Sequence, residues 1–75
     1  VTQAETEQVF FNEPLLVVGD ARHSTMEPRF HALGRTDGGR RLHVTFTLRQ
    51  NGTRLRVISA RDMHRKERLR YGQEV

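Results

Sequence analysis

Two glycine-bearing turns, Asp37-Gly38-Gly39 and Asn51-Gly52, separate three runs in which apolar and polar residues alternate, and this punctuation constrains the fold most. Both supply residues that tolerate positive φ, as tight hairpins require. The runs, about Pro28 to Arg35, Arg41 to Arg49 and Thr53 to Ala60, are therefore predicted to be strands joined as antiparallel neighbours. Leu15 to Val18, closed by Gly19-Asp20, adds a fourth strand, and residues 21 to 27 form a polar loop. Ahead of these, Thr2 and Glu5 have the spacing of a capping box for a helix carrying Val9 and Phe10, stopped by Asn12-Glu13-Pro14. Beyond the last strand, Asp62 is the expected N-cap of a second helix through Met63, Lys66 and Leu69, ending at Gly72. The expectation is an α+β domain, a four-stranded antiparallel meander with a helix at each end, spanning residues 1–75.

Register assigns the faces. A two-residue turn at Asn51-Gly52 sets Leu48 opposite Leu55, Phe46 opposite Val57 and Val44 opposite Ser59, giving an apolar core side. A three-residue loop at the earlier turn brings Phe30, Ala32 and Gly34 to the same side, whereas a two-residue loop would bury Arg29 and Arg35 without partners. The opposite face then gathers Arg29, His31, Leu33, Arg35, His43, Thr45, Thr47, Arg56, Ile58 and Ala60.

Charge points to what that face could meet. Residues 1–20 hold Glu5, Glu7, Glu13 and Asp20 with no Lys or Arg, whereas the remainder carries all 13 basic residues, 12 of them arginine. Guanidinium forks suit phosphate and carboxylate, so the partner is expected to be anionic, a nucleic acid or an acidic protein. The longest apolar run, Leu15 to Val18, is too short to span a membrane, and the absence of cysteine and of a signal pattern fits a cytoplasmic setting. His23, His31, His43 and His64 lack metal-ligand spacing, and no nucleotide-binding loop or nucleophile elbow is present, so neither metal nor cofactor is expected.

Cleaving RNA without a metal takes a base for the 2′-hydroxyl, cations for the phosphorane and an acid for the leaving oxygen. His31 is the candidate proton-transfer group, and Arg35 and Arg61 the candidate phosphate-stabilising cations. Arg29, His43 and Arg56 on the sheet extend the RNA-binding surface. Arg65 and Arg68, spaced to share a helix face with Arg61, would follow the phosphate backbone. A solvated basic surface is the ordinary alternative.

The stretch Glu27-Pro28-Arg29-Phe30-His31-Ala32-Leu33-Gly34-Arg35, then Arg56-Val57-Ile58-Ser59-Ala60-Arg61 and Arg65-Lys66-Glu67-Arg68-Leu69-Arg70-Tyr71, resembles the BrnT toxin family. The resemblance implies a fold similar to RelE-type ribonuclease toxins, RNA cleavage that arrests translation, and neutralisation by a BrnA-type antitoxin through which alone DNA is bound. It matches Arg35 and Arg61 to family active-site arginines. It also implies that a segment usual in the family, an aromatic and acidic stretch and a basic helix ahead of Val1, is missing, which favours a homodimer. The alternative function is a non-catalytic module that binds an antitoxin or nucleic acid.

Overall fold

The computed structural model describes residues 1–23 and 27–73; the side chain of His23 and residues 24–26 of the polar loop lie outside the described residues. The chain runs α1 (Gln3–Val9), β1 (Leu16–Gly19), a 3-10 turn (Ala21–His23), β2 (Arg29–Arg35), β3 (Arg41–Arg49), β4 (Arg54–Asp62) and α2 (Arg65–Gln73). The four strands form one antiparallel meander in the order β1-β2-β3-β4.

The expected capping box starts α1: Glu5 N–H donates to Thr2 Oγ1 at 3.1 Å and Thr2 N–H to Glu5 Oε1 at 3.0 Å. The helix then buries Val9 against β2 at Gly34, where a Cβ would lie 2.6 Å from Val9 Cγ1. Only glycine allows that approach.

Thr36 N–H bonds Arg40 C=O at 2.8 Å and Gly39 has φ +87°, which makes the β2–β3 connection the expected three-residue loop. Phe30 and Ala32 accordingly join Val9, Leu42, Val44 and Phe46 in the core under α1. Phe46 meets Phe10 edge-on at 5.2 Å and stacks on Phe30 at 5.4 Å.

The β3–β4 pairing begins as expected, Leu48 opposite Leu55 and Phe46 opposite Val57, and then changes phase. A bulge leaves Ile58 unpaired, so Thr45 faces Ser59 and Val44 faces Ala60. Strict alternation predicts Ala60 on the polar face; it packs instead against the core under α1. Arg61, expected on the last helix, lies on β4 opposite His43.

The C-terminal helix also begins later than expected. Asp62 does not cap it but ends β4, where it accepts from Arg40 Nε at 2.7 Å. Met63 N–H still bonds Arg41 C=O, and His64 C=O takes the first helical bond from Arg68. Gly72 lies inside the helix, and Leu69, expected as an anchor, is exposed. Met63 and Tyr71 are the anchors: they form a second cluster with Leu33 on the sheet side opposite α1, and Tyr71 O–H donates to Pro14 C=O at 2.5 Å. The polar face is therefore partly roofed by α2.

β4 is an edge strand, and its Leu55, Val57 and Ile58 are 45%, 40% and 46% exposed. Among the described residues, no helix is long and apolar enough to cross a membrane.

Candidate functional site

Alternation along β2 and β3 points His31, Leu33, His43 and Thr45 toward α2, with His31 opposite Thr45 and Leu33 opposite His43. His31 Nε2 lies 2.7 Å from Asp20 Oδ2 and Nδ1 lies 3.1 Å from Thr45 Oγ1. A carboxylate only accepts, so Nε2 carries the hydrogen; in the neutral ring, Nδ1 is then the basic nitrogen and accepts from the Thr45 hydroxyl. Asp20 is placed for this just past β1, its N–H bonded to Arg29 C=O at 2.8 Å.

The ring of His43 stacks on that of His31, centroids 5.0 Å apart. Burial pushes the pKa of His43 below its ordinary 6.5, Arg61, His31 and His64 push the same way, and only Glu67 opposes them. Its Nδ1 is buried without a hydrogen-bond partner, and its Nε2 stands 3.8 Å from Glu67 Oε2.

Arg61 grips Glu67 with two nitrogens, at 2.8 and 3.0 Å. The same carboxylate accepts the His64 N–H at 3.1 Å, so Glu67 also satisfies an otherwise open donor at the start of α2. Burial works against ionisation of Glu67, but the Arg61 and His64 hydrogen bonds outweigh it and hold the carboxyl below its usual range. Arg61 is in turn raised, chiefly by its hydrogen bonds to Glu67.

Between these groups α2 and the sheet leave an open cleft of about 320 Å³, floored by Val18, His31, Leu33 and His43 and walled by Lys66, Glu67 and Arg70. A basic imidazole, an ionised carboxylate and several cations thus sit around one hollow.

Residues 1–67 match the family model described as the ribonuclease toxin BrnT of type II toxin-antitoxin systems. The chain belongs to the BrnT family. Comparisons with curated proteins and with solved structures gave no match. The matched span runs from α1 into the first turn of α2 and takes in every cleft residue except Arg70. Membership in this BrnT family implies an RNA target and an antitoxin partner.

Within this BrnT chain the residues singled out from sequence fall into four groups. His31 and His43 lie together in the cleft, and Arg61 adjoins it through Glu67. Arg35 is on the same side of the sheet, paired with Arg41 at the far end of β2, and its charge is felt at the Tyr71 hydroxyl. Burial is the main influence there and raises the Tyr71 pKa. Arg29 and Arg56 flank Thr47 at the other end of the sheet, away from the cleft lining. The helical stripe of Arg61, Arg65 and Arg68 does not form: Arg61 is on β4, and Arg68 donates to Met63 C=O at 2.7 Å.

Asp20, Lys66, Glu67 and Arg70 carry no role in the reading of the sequence. Strand parity places Thr45 on the face of His31 and His43, without a role of its own. Finding Glu67 requires knowing that the chain turns back at Met63, which brings the carboxylate to Arg61.

Proposed function

We propose that this chain is an endoribonuclease toxin that cuts RNA without a metal ion, in the cytoplasm, and is held inactive by a BrnA-type antitoxin that supplies any DNA binding. The observation that carries this reading is His31 held between Asp20 and Thr45 at the cleft. Asp20 keeps the proton on Nε2 and stabilises the imidazolium; Nδ1 takes the Thr45 hydroxyl proton, and the Thr45 oxygen in turn takes the proton of the substrate 2′-hydroxyl. O2′ then attacks phosphorus, the P–O5′ bond breaks, and O5′ takes a proton from water at the open side, leaving a 2′,3′-cyclic phosphate and a 5′-hydroxyl. Arg61 meets the charge developing on the non-bridging oxygens through the N–H groups that neither Glu67 nor the Asp62 carbonyl occupies, and Arg35 holds a neighbouring phosphate.

A second reading, a module that binds antitoxin or nucleic acid without cutting, draws support from the carboxylate of Glu67, which already neutralises Arg61. Incubation with messenger or ribosomal RNA in EDTA separates the two. Cleavage that falls at least about 100-fold in His31→Ala and in Arg61→Ala is expected. RNA left intact by the wild type, or cut as well by both variants as by the wild type, overturns the nuclease reading.

A further inference from the structure

Lys66 and Arg70 stand one helical turn apart on α2, both line the cleft, and neither has a polar partner among the described residues. Of the other basic residues on the helix, Arg68 is committed to a backbone carbonyl and Arg65 is exposed outside the cleft. Among the described residues Glu67 is the one carboxylate in the lining, and Arg61 neutralises it, so the wall of the cleft keeps the positive charge of Lys66 and Arg70. The floor is of another kind: two aliphatic side chains, Val18 and Leu33, beside two stacked imidazoles. A floor of aliphatic groups and imidazoles beneath paired cations fits a ligand with both a weakly polar ring and a phosphate.

We propose that this cleft seats one nucleotide of the RNA, its base against Val18, Leu33 and the His31–His43 stack and its phosphate on Lys66 and Arg70. The inference rests on the reading of the chain as an RNA-directed protein and names the residues that hold the substrate. The base packs beside His31, which brings the ribose of that nucleotide to the imidazole. Specificity is then set by the cleft floor, and strength by the two cations.

The test uses a short single-stranded oligoribonucleotide methylated at every 2′-oxygen, which cannot undergo 2′-hydroxyl attack, with inorganic phosphate as the comparison ligand. Binding is expected to shift the ring-proton signals of His31 and His43. A Lys66→Ala/Arg70→Ala double variant is expected to bind about tenfold or more weakly, with a salt slope shallower by about 0.7, the loss of roughly one single-strand phosphate contact. Arg65→Ala removes one charge from the same helix and should change affinity less than about twofold. Equal losses in Arg65→Ala and the double variant, unmoved histidine signals, or inorganic phosphate binding as tightly as the oligonucleotide would each overturn the proposal. Cleavage of ordinary RNA, assayed alongside, keeps the two claims apart. An oligonucleotide that binds in the cleft beside RNA left uncut sinks the nuclease reading alone, and RNA cut equally well by the double variant sinks the nucleotide seat alone.

Discussion

Arg61 and Glu67 face each other across the junction of β4 and α2 as a two-pronged ion pair, each guanidinium nitrogen on its own carboxylate oxygen at 2.8 and 3.0 Å. One carboxylate thereby joins strand to helix, caps the helix through His64 N–H and neutralises the arginine proposed to meet the reacting phosphate. Glu67→Gln should therefore have two effects of opposite sign. Stability should fall by about 1 kcal/mol in urea denaturation, a modest figure because Arg61 is half exposed and screened. RNA affinity should rise about fivefold, the equivalent of ~1 kcal/mol for losing one nearby negative charge. A loss of both would mean that Glu67 serves to orient Arg61 for the substrate.

The same pair sets an acid limit. Because the pKa of Glu67 is depressed in the folded chain, its contribution is present above the ordinary value of 4.5 and is lost as pH falls through the lower, folded value. Denaturation midpoints followed downward from pH 5 should drop in the wild type and less steeply in Glu67→Gln.

His43 titrates in the opposite sense to a partnered histidine. Burial disfavours its charged form, so its ring signals should show a midpoint below 6.5. Between that midpoint and 6.5 the unfolded chain binds more protons, and the contribution of His43 to stability rises with pH. Since Glu67 is the one neighbour raising the value, Glu67→Gln should lower the midpoint further.

Asp20→Asn probes the proposed base. The amide can occupy the same space beside His31 but neither stabilises an imidazolium nor enforces the Nε2–H tautomer. Cleavage should decrease by about 10² to 10⁴, as for His31→Ala, with RNA affinity changed less than about threefold. Full activity in Asp20→Asn would remove His31 from the mechanism.

Gly34→Ala tests the packing of α1. The added methyl would sit 2.6 Å from Val9 Cγ1 and 3.2 Å from the Val9 carbonyl, so helix or strand must shift. A loss of about 1–3 kcal/mol in chemical denaturation is expected. An unchanged midpoint would mean that the end of α1 gives way freely.

The parts of the fold legible in the sequence are those governed locally. The Thr2–Glu5 cap, the Gly39 loop and the Asn51-Gly52 turn each depend on residues within a few positions, and together they set the register of β2 against β3 and of the first half of β3 against β4. The bulge at Ile58 shows in the sequence only as two consecutive apolar residues, Val57-Ile58, which break the alternation without fixing where the extra residue goes; the packing of Ala60 against the core settles that. That one shift sets Arg61 opposite His43, where unbroken pairing would set it opposite Leu42, and β4 runs on to Asp62 before the helix begins. The site was half legible for a related reason: His31 and His43 follow from strand parity, whereas Asp20 and Glu67 reach them only through the chain reversals after β1 and at Met63.

The open side of β4 carries a last consequence. Leu55, Val57 and Ile58 would make it a natural template for another strand, and Arg54 and Arg56 are interleaved with them. Two molecules approaching edge to edge bring like charges together, so electrostatic repulsion opposes that pairing in dilute buffer. Concentrated salt, or any long polyanion, screens that repulsion, and the solubility of this protein is thereby tied to the ionic composition around it.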